Sequence, residues 1–238
     1  IGFEGVEEKE NETVAFISEE SFDENELKTI FEKFDVSFTQ TRIEQQNWNA
    51  AWESSFEPVQ VNSFAAIRAS FHAEIPGVEH DIIITPKMSF GTGHHATTFL
   101  MIQEMQLLNF KNQYVIDFGT GTGVLAILAE KLGAKEILAI DNDEWSINNA
   151  KENIAANLCN NIIIRKSDEM ICEKKATIIL ANINLNVIIA NISLIKNTCL
   201  PQSYVLLSGL ITSDELQISQ VLKDYGFKIL KCVERNNW

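Results

Sequence analysis

From Tyr114 onward the chain alternates short apolar runs with longer amphipathic stretches. The runs predict strands at 114–118, 136–141, 161–165, 176–181, 203–208 and 227–233, and the stretches predict helices at 123–132, 144–157, 185–196 and 213–225. Gly133 and Gly226 stand where helices need a residue tolerant of left-handed backbone in order to stop. Strands that alternate with helices in this way form a mostly parallel, doubly wound α/β sheet. The first part of the chain is less regular. Thr13-Val14-Ala15-Phe16-Ile17 predicts a strand, Ser21 or Asp23 caps a helix through about Phe34, and Val36-Ser37-Phe38 begins another strand. Residues 1–39 thus form a small α/β fragment, too short for an independent core. Residues 40–60 are polar, with Trp48 and Trp52 four apart, a spacing that suits one face of a linker helix and equally well a pair of core aromatics. Residues 61–238 form the main domain. It opens with strands over 61–80, where Ile67 and Phe71 are core candidates, and a strand at Asp81-Ile82-Ile83-Ile84-Thr85. The loop Phe90–Thr98 then opens a helix to about Leu108.

The chemistry concentrates where strands end. Tyr114-Val-Ile-Asp-Phe-Gly-Thr-Gly-Thr-Gly123 is an apolar run closed by Asp117, then Gly119, Gly121 and Gly123, with a helical pattern starting at once. A strand that turns through glycines into a helix lets a ligand lie against bare backbone. Asp141 closes the next run, 22 residues after Gly119, about where an acid grips ribose hydroxyls. The pair predicts an adenosine-containing cofactor. The spacing Gly-x-Gly-x-Gly differs from the dinucleotide Gly-x-Gly-x-x-Gly, and a carboxylate two residues before the first glycine repels a pyrophosphate. That carboxylate suits a cation such as the amino group of S-adenosylmethionine, and the run resembles the first motif of Rossmann-like methyltransferases.

Two further strand ends carry polar residues. Asp168 is placed to meet an adenine amino group, although an ordinary solvated loop acid accounts for it at least as well. Asn182 offers one acceptor and two donors; it either holds the methionine end of the cofactor or an incoming amine, or it caps a helix. Nucleobase amino-methyltransferases carry Asn-Pro-Pro-aromatic here, whereas Ile183, Asn184 and Leu185 provide no ring to stack on a base. The 90–98 loop lacks the Gly-Lys-Ser/Thr ending of a phosphate loop. Adjacent His94 and His95, without a carboxylate or cysteine pattern, do not make a metal site. The loop reads either as a glycine-hinged flap whose Thr97 and Thr98 hydroxyls face the cofactor or as a turn with threonine caps.

Charge separates the two ends of the chain. The net charge of −14 is gathered in residues 1–60, which hold 15 acids and 4 bases, while residues 61–238 hold 18 acids and 15 bases. An acidic end repels nucleic-acid phosphate and attracts a basic protein, though it also serves solubility. No apolar run reaches the ~18 residues of a membrane span, and the start lacks the order of a signal peptide. Cys159, Cys172, Cys199 and Cys232 are scattered without ligand or redox spacing, so reduced thiols and a cytoplasmic location are expected.

At this point the residues resemble one family, the bacterial methyltransferases of large-subunit ribosomal protein eleven. The resembling pieces are Gln46-Asn47-Trp48 with Trp52 and Phe56-Glu57-Pro58, Ser89-Phe90-Gly91-Thr92-Gly93, His95, Thr97-Thr98, the Asp117–Gly123 run, Leu132-Gly133-Ala134, Ile140-Asp141, Ala181-Asn182-Ile183 and Leu207-Ser208-Gly209. The resemblance implies a Rossmann-like class I methyltransferase domain, a linker helix and a small N-terminal domain that binds the ribosomal protein. It implies methyl transfer from S-adenosylmethionine to lysine and N-terminal amines, with cofactor contacts at Thr98, Gly119, Asp141 and Asn182. The acidic N-terminal end then faces a basic substrate. The chain departs from the family at His94-His95-Ala96, where Thr-His-Pro is usual, and at Thr85-Pro86-Lys87, where Asp-Pro-Gly is usual. Relative to the family the N-terminal domain is short by a strand and a helix, and one more strand is expected after Trp238, so trimming or disorder at both ends is the expectation.

The reaction asks the protein mainly to align amine, methyl and leaving sulfur, and no histidine or acid compels assignment as a general base. Two other readings stay open on the residues: the same chemistry on another protein or a small molecule, and a non-catalytic S-adenosylmethionine-binding module. A nicotinamide dehydrogenase is disfavoured by the glycine spacing.

Overall fold

The computed structural model describes residues 2–8, 13–34, 37–42, 56–87 and 93–238. Trp48, Trp52, the central part of the 40–60 linker and Ser89 through Thr92 therefore lie outside the described residues. The chain divides into two compact units, Ile1–Asn47 and Trp48–Trp238.

In the first unit, β1 (Gly5–Glu8) pairs antiparallel with β2 (Thr13–Phe16), followed by α1 (Glu24–Phe34). Asp23 starts α1 by accepting from the amides of Asn25 and Glu26 at 2.8 and 3.1 Å. This is the N-cap arrangement that a short acidic side chain provides. Leu27 is the residue α1 buries, and Phe31 packs on Phe38 at 5.1 Å between ring centroids. The expected strand over 36–38 is not formed at residues 37–42, which are irregular.

The second unit holds two sheets. In the smaller, β3 (Val59–Val61) runs antiparallel to β4 (Ala65–Ala69), which runs parallel to β5 (His80–Ile84). Helix α2 (Ala96–Met105) follows. The larger sheet contains β6 (Tyr114–Phe118), β7 (Glu136–Asp141), β8 (Ile162–Lys166), β9 (Ala176–Asn182) and β10 (Cys199–Ser208), all parallel, in the order β10-β9-β6-β7-β8. Its crossovers are α3 (Val124–Lys131), α4 (Glu144–Ala156) and α5 (Leu185–Thr198), with α6 (Glu215–Asp224) after β10. The central strand β6 is apolar on both faces because helices cover both. Val115 joins a core with α2, α3 and the small sheet, and Ile116 joins a core with β9 and α5. The chain winds outward from β6 through β7 to β8 and then returns to the other side at β9. The topological switch thus falls at β6, where such sheets open a crevice at their carboxyl ends.

Two expectations are corrected. Residues 227–233 form no strand. The segment is held by side chains instead: Lys196 lies over the Phe227 ring at 4.8 Å, Lys231 pairs with Glu104 at 2.7 Å, and Arg235 lies 3.6 Å from the Phe99 centroid. An apolar run becomes a strand only when an edge accepts its backbone, and here Ile229 and Leu230 stay exposed. Phe71 is not in the core either. It follows β4 in a turn, its ring 4.4 Å from His72, and is 58% exposed, whereas Ile67 within β4 is fully buried.

Candidate functional site

The site is built at the carboxyl ends of β9, β6 and β7. Asp117 is the fourth residue of β6 and is fully buried. One carboxylate oxygen, Oδ2, accepts from the Thr120 hydroxyl at 2.6 Å and from the Ala126 amide at 3.2 Å. The second bond reaches into the first turn of α3, whose own N-cap, Gly123, has no side chain to offer. The strand carboxylate therefore caps the helix from below, where its charge meets the positive end of the helix dipole. The other oxygen, Oδ1, has no hydrogen-bond partner among the described residues. Burial pushes this carboxyl up to about 7; its hydrogen bonds from Thr120 and Ala126 offset part of that, and the Asp141 charge adds to it. A buried carboxylate with one bare oxygen is a place made for a donor, and best for a cation.

The glycine turn wraps over this residue. The amides of Gly119 and Thr120 both donate to the Ile140 carbonyl, at 2.8 and 2.9 Å, and Gly123 N donates to the Thr120 carbonyl at 2.9 Å. Asp141, ending β7, accepts from Gly121 N at 2.8 Å and from Asp143 N at 3.0 Å. The two predicted elements are therefore neighbours, joined through the middle glycine. The three glycines have different reasons to be glycine. Gly119 has φ +76°, and a Cβ on it would collide with the Ile183 side chain. Gly123 has φ +82°, a left-handed backbone that a side chain resists; a Cβ there would meet only ordinary contact with Ala150 of α4, at 3.4 Å. Gly121, with φ +54°, presents its amide to Asp141.

Asn182 ends β9 and donates from Nδ2 to the Thr98 hydroxyl of α2 at 3.2 Å. Its alternative role as a helix cap belongs to Asn184, whose side chain accepts from Val187 N at 3.1 Å. Thr98 is buried, and Thr97 turns its hydroxyl to the His95 ring at 2.7 Å, with His95 capping α2. Asp168 lies exposed in the loop after β8, on the outermost strand of that side. Asp117, Gly119, Gly121, Asp141, Asn182 and Thr98 are thus brought to one end of the sheet, and Asp168 stands at its margin.

This constellation can now be set beside known proteins. A sequence model described as ribosomal protein L11 methyltransferase (PrmA) matches residues 3–238. The chain belongs to the ribosomal protein L11 methyltransferase family. A ribosomal protein L11 methyltransferase of Phocaeicola vulgatus is 36% identical over 246 residues, covering 100% of this chain and 88% of that one. One of Chlorobaculum parvum is 37% identical over 251 residues, covering 99% and 86%. The crystal structure of a ribosomal protein L11 methylase from Lactobacillus delbrueckii subsp. bulgaricus superposes with a TM-score of 0.72 at 28% identity, covering 77% of this chain and 95% of that one. The α/β expectation is met by a Rossmann-like, doubly wound parallel sheet of the class I methyltransferase kind.

Several residues of this family member's site were not legible as site residues. Thr120 is a partner of Asp117. Gly209 has φ +81°, and a Cβ there would sit 2.5 Å from the Ile183 carbonyl oxygen and 2.9 Å from its nitrogen. Ile183 N meanwhile donates to the Ser208 carbonyl at 3.1 Å. The backbone just after Asn182 is therefore clasped by β10. The sequence hint was the Ser208-Gly209 pair at a strand end. The clash appears only when the two strand ends lie side by side.

Proposed function

We propose that this chain transfers methyl groups from S-adenosylmethionine to amine nitrogens of ribosomal protein L11, on lysine side chains and at the N-terminus. The observation that carries the reading is the buried Oδ1 of Asp117, unpaired among the described residues, at the switch point of the sheet. It fits an ammonium group, and the cofactor's amino group is one. Asp141 keeps lone pairs beyond those used by Gly121 and Asp143, so it accepts from ribose hydroxyls as well. Gly119, Gly121 and Gly123 shape the turn against which the cofactor lies. Asp168, at the margin, meets the adenine amino group. When bound, S-adenosylmethionine supplies a methyl on a positively charged sulfur, already activated toward displacement.

The chain's own task is then alignment and control of the acceptor's protonation. Only a neutral amine attacks, and a free lysine with a pKa of ~10.4 is mostly charged at neutral pH. Asn182 offers its carbonyl oxygen to the acceptor nitrogen while its amide group is tethered to Thr98. An uncharged amide orients the amine while stabilising its protonated form less than a carboxylate there would. Residues 1–39 serve as the substrate-recognition unit and 40–60 as the link to the catalytic domain, 61–238. The 15 acids and 4 bases of residues 1–60 suit a basic protein substrate.

The test is transfer of labelled methyl from S-adenosylmethionine to purified ribosomal protein L11, with mass spectrometry of the product. Methylated amines on that protein are the expected result, and absence of transfer with a folded chain overturns it. Asn182→Ala is expected to lower kcat by about 100-fold, the scale of a misplaced reacting group. Its cofactor affinity should fall by less, as single-turnover kinetics beside a binding titration would read.

A further inference from the structure

One feature of α4 has no part in the site as described. Asn149, Asn153 and Asn157 lie four residues apart on one face of the helix or at its C-cap, and the first two are completely buried. Their amides face the open edge of β5 and the residues after it. Asn157 accepts from Ile83 N at 3.0 Å and donates to Ile83 O at 2.6 Å. Asn153 accepts from Thr85 N at 2.7 Å, and Asn149 donates to Thr85 O at 3.2 Å. The spacing explains the match. Four helical residues rise ~6.0 Å, and two strand residues rise ~6.6 Å. A primary amide carries one acceptor and an N–H pair, as a peptide group does, so a ladder of asparagines pairs with β5 as another strand would. The exposed edge of a short sheet is closed in this way.

Asn153 does more than close the edge. Its Nδ2 donates to the carbonyl of Thr122 at 2.8 Å, inside the glycine turn, and contacts Asn149 Oδ1 at 3.4 Å. Thr122 is fully buried. One side chain thus holds the turn that ends β6 and, through Thr85, the stem of the segment that leads to α2 and Thr98. Lys87, two residues along that stem, pairs with Glu152 at 2.6 Å, the neighbour of Asn153. Thr85 and Thr122 stand 37 positions apart in the chain, yet they share this amide.

We propose that Asn153 is a positioning residue for the cofactor site, setting the glycine turn in register with Thr85, where β5 ends. The proposal rests on the cofactor reading of that corner. Removing the amide takes away the side chain bonded to both the Thr85 N–H and the Thr122 carbonyl, and either segment then relaxes independently. Asn157 is the internal control. It makes the same kind of bond two residues earlier, at Ile83 within β5, and these bonds do not reach the glycine turn.

The experiment compares Asn153→Ala, Asn153→Asp and Asn157→Ala in the full chain by hydrogen exchange without ligand, thermal melting, and calorimetric titration with S-adenosylhomocysteine. In the unliganded protein, Asn153→Ala should speed exchange at Thr85 and at residues 119–123 together, whereas Asn157→Ala should speed it near Ile83 alone. Both asparagine-to-alanine variants should melt earlier. The Asn153 variants should bind S-adenosylhomocysteine about tenfold more weakly, and Asn157→Ala within about twofold of the parent. Asn153→Asp keeps the acceptor for Thr85 but loses the donor to Thr122, so it separates the two bonds; it should loosen residues 119–123 and leave Thr85 protected. Unchanged exchange at 119–123 in both Asn153 variants overturns the proposal. Should the parent itself fail to bind S-adenosylhomocysteine, the cofactor reading falls, while the exchange data still decide whether Asn153 couples the two segments.

Discussion

Asp117→Asn is expected to weaken S-adenosylmethionine binding by about 100-fold or more, the scale of losing one member of a buried charge pair, while making the unliganded protein more stable at alkaline pH. The stability effect follows from the raised carboxyl, at about 7 in the fold against 3.8 as an ordinary aspartate. A group whose pKa is raised by folding binds its proton more tightly in the native state. Its contribution is fully present below the unfolded value and is lost as pH rises through the folded value. Between roughly pH 4 and pH 7 the native state therefore loses about 4 kcal/mol relative to the unfolded chain from this residue. Asparagine keeps an acceptor for Thr120 and Ala126 and never ionises. It places an N–H pair where the bare oxygen was, at a cost of about 1–3 kcal/mol, so the net gain at pH 8 is about 1–3 kcal/mol. At pH 5 the gain should vanish.

His80 works in the opposite direction. Burial lowers its pKa, so its neutral form favours the native state as pH rises through the region below 6.5. Comparing variant with parent at each pH cancels that contribution. Urea denaturation at pH 5 and pH 8 gives the difference directly, and equal pH slopes for the two proteins would dismiss the argument. The same linkage predicts that cofactor binding near pH 6 expels a proton from Asp117. Calorimetry in buffers of different ionisation heat detects that release, and it should disappear in the variant.

The parts of this fold that were legible in the sequence are those fixed by short-range chemistry. The strands from Tyr114 to Asn182 and helices α3 to α5 follow from apolar and amphipathic runs, while their caps at Asp143 and Asn184, whose side chains accept from Ser146 N and Val187 N, come from the structure. Gly133 and Gly226 end their helices at φ +92° and +70°, as glycines placed at helix ends predict. Asp117 and Asp141 were legible because the carboxyl ends of parallel strands converge whatever the side chains are. What escaped depends on partners distant in sequence. The 227–233 run has strand composition but pairs with no strand among the described residues, although β10 ends the sheet. The asparagines at 149, 153 and 157 stood visibly four apart, but their meaning lies in matching a strand 64 to 74 residues earlier, which no local pattern encodes. Ile183 was noticed for lacking an aromatic ring, whereas its packing role is to fill the space that Gly119 and Gly209 leave.

That last arrangement gives the second large effect. Gly209→Ala should destabilise the protein by about 2–5 kcal/mol, combining a left-handed backbone that a Cβ resists by about 1–2 kcal/mol with overpacking of about 1–3 kcal/mol. The obstacle is backbone: the carbonyl oxygen, carbonyl carbon and nitrogen of Ile183 lie 2.5, 2.8 and 2.9 Å from the added carbon. No rotamer change relieves it, so the segment carrying Asn182 must move, and the Asn182–Thr98 bond at 3.2 Å moves with it. Gly119→Ala differs in kind. Its clash is with the Ile183 side chain, which can be cut back. Ile183→Ala in the same chain should therefore restore much of the stability lost in Gly119→Ala, leaving the backbone strain of about 1–2 kcal/mol and a cavity cost. The same second substitution should do nothing for Gly209→Ala. Denaturation of the five variants (both glycine singles, Ile183→Ala alone and the two doubles) decides it through the coupling energies, because residues in contact are non-additive by about 0.5–3 kcal/mol and independent ones are not. Equal rescue of both glycine variants by Ile183→Ala would mean that Gly209 is glycine on account of a side chain, and that β10 does not fix the position of Asn182.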